Sequence, residues 1–289
     1  MHDIPVDFSA LSIAYCARRY QFSCVRGVDS SSPDTDFGNA AHALFEARNR
    51  GDTRPITDIG IPLSEKWQLS QADTTKLMLC GIGFDQQKNP LPIIDTANTP
   101  LVEYKFSIPY ATVGNYRIVL CGTMDLVYCQ DNKFLVIRDY KTCAALGPAA
   151  DKIVASYTSS LQLQFYAYAI YKYLHAFLPT EYADMALRLA ITGEFMMVYK
   201  SAPIPKFDRT PFMQVTPYTI QSTEAVINML IPKLIAIHEL DTIAPPEGSV
   251  YKLCNKCPYY NLCLCKDEHA LLNSLAKIPV KQYDPTNFR

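Results

Sequence analysis

A chain of 289 residues, 49% hydrophobic and 19% charged, has the ordinary makeup of a globular protein and can bury a sizeable core without covalent staples. Its net charge of −1 excludes a broadly basic surface, so any grip on a polyanion must come from a local patch or from bound metal ions. The start, Met1-His2-Asp3-Ile4-Pro5, lacks a basic region followed by an apolar run, and the apolar stretches near Tyr166 and Met229 are broken by Gln, Lys, His or Pro; a cytoplasmic protein with no membrane partner is expected.

Residues 8–24 read as a helix capped by Asp7 or Ser9, and residues 27–35 as a polar loop. Asp36 is placed to cap a helix from Phe37 to Arg50 that Gly51 closes, and a further helical region falls between Ser64 and Lys88. After Pro100 the texture changes. Residues 102–109, 116–128 and 133–140 carry strand patterns, and Gln130-Asp131-Asn132 fits a tight turn, so three consecutive strands form an antiparallel meander. An aromatic helix over 159–177, a strand over 187–199 and a helix over 219–240 follow, with no internal repeat. This order predicts an α/β fold with a mixed sheet.

Gly122-Thr123-Met124-Asp125 is followed fourteen residues later by Asp139-Tyr140-Lys141. A hairpin brings the two acids together, and Asp139 and Lys141, two apart on one strand, point to the same face. Two carboxylates suit Mg²⁺ or Mn²⁺, hard ions that prefer oxygen, and the Tyr140 backbone carbonyl is a further candidate ligand. Such a metal polarises a phosphate and acidifies a bound water, while a lysine orients that water and stabilises charge on the phosphoryl oxygens. An exposed Asp-x-Lys is commonly a minor salt bridge. Here Leu135-Val136-Ile137 precedes Asp139, and a charged pair at the end of so apolar a strand needs a reason.

Gly38, His42 and Glu46 recur every four residues and share one helical face, with His42 able to complete a metal shell. Gln162 and Tyr166 share a face at i, i+4, although an aromatic helix usually means core packing. Among the ten cysteines, Cys254, Cys257, Cys263 and Cys265 crowd into twelve residues, which suggests metal rather than disulfides. The fourth ligand beside Cys254, Cys257 and Cys263 is open between Cys265, Cys16 and Cys24. A single Cys-x-x-Cys knuckle sets an iron–sulfur cluster slightly ahead of zinc. Cys80, Cys121, Cys129 and Cys143 read as buried small hydrophobes.

In order, Cys16-Ala-Arg-Arg-Tyr20, Gly38-x3-His42, Gly122-x2-Asp125, Asp139-x-Lys141, Gln162-x3-Tyr166 and Cys254-x2-Cys257-x5-Cys263 resemble the RecB-like iron–sulfur branch of the PD-(D/E)XK nucleases. That branch includes CRISPR-associated RecB-like exonucleases and the AddB nuclease domain. The likeness spans residues 11–265. It implies a restriction-endonuclease-like mixed sheet flanked by helices, in one domain over 1–289. Within it the catalytic core is 36–200, and an iron–sulfur clasp over 1–26 and 245–270 joins the two ends. It implies His42, Asp125 and Asp139 as ligands of Mg²⁺ or Mn²⁺, and Lys141 as the catalytic lysine. Cys16, Cys254, Cys257 and Cys263 would hold a 4Fe–4S cluster, with Cys24 and Cys265 as possible replacements for Cys16. Gln162, Tyr166 and Glu46 would support the site or touch DNA. Glu103 sits where relatives often carry a Glu on the preceding strand. The implied activity is hydrolysis of DNA, chiefly at single-stranded or free ends, alone or with protein partners in a DNA-processing complex. The rival expectation is a non-catalytic subunit that binds DNA ends.

Overall fold

Residues 1–28, 33–143, 160–200, 202, 204–210, 213–240, 242, 244, 257–259 and 263 are those described by the structure, a computed structural model. In chain order the strands are β1 (His2–Val6), β2 (Val102–Val113), β3 (Tyr116–Gln130), β4 (Phe134–Cys143), β5 (Ile191–Tyr199), β6 (Lys206–Arg209) and β7 (Met213–Gln214). The helices are α1 (Phe8–Ile13), α2 (Ala17–Tyr20), α3 (Pro33–Asn49), α4 (Ile56–Lys66), α5 (Gln71–Asp85), α6 (Leu161–Lys172), α7 (Thr180–Leu187) and α8 (Pro217–His238). Two compact units divide the chain. One is Met1–Ser30, Lys105–Gly122 and Glu224–Arg289; the other is Ser31–Tyr104 and Thr123–Thr223.

The second unit is built on a mixed sheet. β3 and β4 run antiparallel, joined by a turn in which Asp131 and Asn132 both take left-handed φ, 53° and 54°. That backbone matches the twist of a tight hairpin, and Asp and Asn tolerate it. β4 pairs in parallel with β5 from Leu135↔Ile191 to Cys143↔Tyr199, and β5 pairs antiparallel with β6 and β7. Parallel pairing needs a crossover, and the chain between β4 and β5 supplies it with α6 and α7. Every residue of β5 is buried, as expected for a strand covered on both faces.

Alternation along the strands divides the two faces. Leu126, Tyr128, Val136, Tyr140, Met196 and Val198 meet α3, α4 and α5 through Phe37, Leu44, Phe45, Ile59, Leu77 and Phe84. The other face takes α6: a Cβ on Gly193 would lie 2.9 Å from Leu163 Cδ1, so the glycine permits this close approach.

The helical region expected over 64–88 is two helices. Gln68 takes φ 50°, ending α4, and Ser70 Oγ accepts from Asp73 N at 3.1 Å to cap α5. α3 begins at Pro33, earlier than the Asp36 cap predicts, because proline suits the first turn, where its missing N–H is not needed. Gly51, with φ 86°, follows its end as expected. The aromatic helix is shorter than 159–177; a 3₁₀ turn over Leu174–Phe177 replaces its last part.

In the first unit β1 runs parallel to the first half of β3, from His2↔Tyr116 to Val6↔Leu120, a strand the sequence reading does not contain. The single helix expected over 8–24 is broken. Asp7 caps α1 by accepting from Ala10 N at 2.6 Å, Cys16 is extended, and α2 runs into a π-helical turn over Gln21–Val25. These turns are tied to the distant end of the chain. Arg18 Nε donates to Ala244 O at 2.6 Å, Tyr20 Oη lies 3.1 Å from His238 Nε2, and the Phe22 ring meets Tyr259 edge-on. α8 is long and apolar enough to cross a membrane by length and composition, contrary to the sequence expectation for this stretch. Its Ile220, Ile227, Ile231, Leu234 and Ile237 nevertheless form a buried stripe at helical spacing, as in an amphipathic helix packed by one face.

Candidate active site

The β3–β4 ladder ends at Leu126↔Arg138. One residue further along, the Asp125 carboxylate enters the fork: its Oδ2 accepts from Tyr140 N at 2.8 Å. A side chain here takes a main-chain donor that continued pairing would have used. Asp139 lies on the same fork and is almost wholly buried. Its Oδ1 accepts from Gln162 Nε2 at 2.6 Å, and its Oδ2 is 2.6 Å from the Lys141 ammonium. Gln162 is brought to this reach by the close seating of α6 on Gly193, and its Nε2 is also 3.4 Å from Tyr166 Oη. Lys141 keeps about a quarter of its side chain in solvent (25%), with its ammonium 5.6 Å from the centre of the Phe195 ring.

From the opposite layer, α3 presents His42. Its Nδ1 lies 3.3 Å from Asp125 Oδ2 and 3.9 Å from Glu103 Oε1. Gly38, one turn earlier, faces β4, where a Cβ would make an ordinary contact with Thr142 Oγ1 at 3.4 Å. Glu103 reaches the group from the start of β2 with φ 46°, a left-handed backbone that a glutamate rarely takes and that strains it. Ligand atoms of His42, Glu103 and Asp125 all lie within 4.8 Å of one another. Imidazole with two carboxylates is a donor set that Mn²⁺ accepts well and Mg²⁺ tolerates.

The electrostatics of this group favour an added cation. Burial pushes the Asp125 carboxyl well above the ordinary carboxylate range, and the nearby Asp139 charge pushes it the same way. Burial works against a charged His42, but Asp125, Glu103 and Asp139 together outweigh it and raise the imidazole to about 9. Near neutral pH the metal-free His42–Asp125 pair therefore shares a proton where a divalent ion would place charge.

The structure thus brings together His42, Asp125, Asp139, Lys141, Gln162 and Tyr166. Gln162 and Tyr166 are buried, which suits supporting the site and not touching a large ligand. Tyr140 enters the site through its N–H; its ring turns away into the core, where its hydroxyl accepts from Asn49 Nδ2 at 3.0 Å. Glu46 pairs with Arg50 at 2.9 Å and lines a cleft beside His42. Glu103 was signalled only by the resemblance, as the Glu that relatives often carry on the preceding strand. Trp67 and Thr142, which line the same cleft, were not singled out; that Trp67 is the only tryptophan was the one available signal.

Cys16, Cys257 and Cys263 share the first unit as free thiols. Burial raises the Cys263 thiol, Arg18 draws it down, and the charges of Cys257 and Cys16 raise it again. Among the described residues these thiols do not close into a metal-binding group, and Cys254 and Cys265 lie outside the described residues. Cys80 and Cys121 are buried as expected, whereas Cys129 and Cys143 are only partly so, near the ends of their strands.

The sequence profile of the PD-(D/E)XK nuclease superfamily matches residues 10–264. Among solved structures, the crystal structure of SSO0001 is similar over 91% of this chain and 86% of its own, at 12% identity and a TM-score of 0.38. No curated protein sequence matches the chain.

Proposed function

Because the chain belongs to the PD-(D/E)XK nuclease superfamily, we propose that it is a divalent-metal-dependent deoxyribonuclease that degrades DNA from single-stranded ends, of the RecB-like iron–sulfur branch. One observation carries the catalytic part: Asp125, Asp139 and Lys141 converge with His42 and Glu103 where β3 and β4 part.

His42, Asp125 and Glu103, with Asp139 beside them, would hold Mn²⁺ or Mg²⁺. The bound ion supplies Lewis acidity toward the phosphate and lowers the pKa of its water. The chain's own contribution is position. Gln162 fixes one oxygen of Asp139, and Asp139 in turn holds the Lys141 ammonium. Lys141, partly open to solvent, then orients the attacking water and offsets negative charge developing on the phosphoryl oxygens. Hydrogen bonding of Asp125 to Tyr140 N keeps the carboxylates on a rigid sheet and not on a loop.

Cys16, Cys257 and Cys263, with Cys254, supply the thiolates that a 4Fe–4S cluster takes, and Cys24 or Cys265 could replace Cys16. Support comes from the mutual influence of Cys16, Cys257 and Cys263 and from the contacts of Arg18 and Phe22 with residues 244 and 259. The cluster's role would be structural, closing the first unit.

The test is digestion of end-labelled single- and double-stranded DNA in Mn²⁺ or Mg²⁺, with iron and sulfide assayed in the same preparation. Lys141→Ala should lower the rate by about 10²–10³-fold, the usual cost of one charge-stabilising donor. Cleavage at the wild-type rate by that variant would sink the assignment. End binding with no cleavage by the unaltered protein would mark a non-catalytic subunit.

A further inference from the structure

Two clefts of about 480 Å³ each have Trp67 in their walls. One is lined by Thr35, Asn39, His42, Glu46, Glu103 and Thr142 among others, so it shares His42 and Glu103 with the candidate metal group. An occupant of this cleft therefore touches two members of that group. The volume suits a group of about nucleotide size.

Its described lining is polar with one large aromatic ring. Neither Lys nor Arg is among the described lining residues. Each carboxylate already has a basic neighbour: Asp34 with Lys200 at 2.5 Å, Glu46 with Arg50 at 2.9 Å, Glu103 with His42 at 3.9 Å. What the walls offer is an aromatic ring and a rim of hydroxyl, amide and carboxylate groups. Flat faces and polar edges are the features of a nucleobase.

Trp67 is well held for this purpose. It terminates α4, its N–H donating to Leu63 O at 3.0 Å, and its ring is partly buried against the core of the second unit. The indole N–H is buried and has no hydrogen-bond partner among the described residues, so the part of Trp67 that lines the clefts is its carbon framework. Lys66 places its ammonium 5.4 Å from the ring centre and lines the other cleft.

We infer that Trp67 is the stacking platform for an unpaired nucleobase next to the scissile phosphate, and hence that this site takes single-stranded nucleic acid. The inference rests on the nuclease reading, and its test separates the two. As the only tryptophan, Trp67 reports its own contacts by fluorescence. In Lys141→Ala protein with Mn²⁺, a short single-stranded DNA should quench the emission in step with binding followed by anisotropy of a labelled strand. The same strand made wholly of abasic sugar-phosphate should bind roughly tenfold more weakly and leave the emission unchanged, the loss expected from one stacked base. Binding with unaltered emission, equal affinity for the abasic strand, or no binding at all overturns the platform. In the otherwise unaltered enzyme, Trp67→Ala should raise KM roughly tenfold with kcat within about twofold, and Trp67→Phe should restore KM because a ring is kept. Loss of kcat at constant KM in Trp67→Ala overturns it as well. Undiminished cleavage by Lys141→Ala would instead overturn the assignment of Lys141 to the catalytic centre, and absence of cleavage by the unaltered protein would remove the nuclease reading; either leaves the emission result to decide the platform by itself.

Discussion

β4 carries two ion pairs one residue apart, and they face opposite ways. Arg138 turns toward the α3–α5 layer, with Glu194 opposite it in the parallel register of β5. Both side chains are wholly buried (0%), Arg138 Nε donates to Glu194 Oε1 at 2.6 Å, and Tyr128 Oη donates to the same oxygen at 2.8 Å. Asp139 and Lys141 turn the other way, and Lys141 reaches solvent. The first pair is closed and has nothing to exchange with the surroundings. The second has an open side through which a substrate oxygen and a metal ion can join it. Burial, and not the presence of charge, separates a pair that fastens two strands from a pair equipped for chemistry.

The largest expected effect breaks the closed pair. Glu194→Gln leaves the Arg138 charge buried without its partner and should cost about 3–5 kcal/mol, read from the urea midpoint. Replacing both residues together with Met and Leu should recover most of that stability. An unchanged midpoint in Glu194→Gln would show that the two pairs do not differ as described. Next comes the open pair. Asp139→Asn keeps the shape and an acceptor for Gln162, so its midpoint should stay within about 1 kcal/mol of the parent while cleavage falls roughly 10²-fold. A stability loss as large as that of Glu194→Gln would erase the contrast.

The smallest effect is on pH. His42 has its pKa raised from 6.5 to about 9, so its stabilising contribution is complete below about 6.5 and is lost as pH rises through about 9. In EDTA the Tm should therefore drop by a few degrees between about pH 7 and about pH 9, and His42→Gln should flatten that drop. Mn²⁺ should reverse the slope, because the neutral imidazole and ionised carboxylates that bind it become available at higher pH. A Tm independent of pH in EDTA would mean that the open face holds no such protons.

Legibility in the sequence follows the range of the interaction. Asp139 and Lys141 are two apart on one strand, and Gly38 and His42 four apart on one helix, so period alone placed each pair on one face. Gln162 beside Tyr166 was visible for the same reason, but its bond to Asp139 depends on Gly193 admitting α6, which no local pattern states. No local pattern marks Arg138, because its partner is 56 positions away and is chosen by the register of parallel strands. The break at Trp67 was read through as helix because α4 and α5 both carry helical spacing, and only a left-handed Gln68 and the Ser70 cap separate them. Glu103 had one residue's worth of signal; its place beside His42 comes from a backbone conformation that its residue type disfavours.

That conformation sets two selections against each other at one codon. Glycine or asparagine accepts φ 46° with less strain than glutamate does, and neither brings a carboxylate to His42 and Asp125. A library randomised at position 103 and sorted for heat resistance alone should drift toward Gly and Asn. One sorted for retained turnover should return to Glu, or to Asp where the shorter acid still reaches. Divergence between those two outcomes would measure how far the fold has been bent to serve the chemistry.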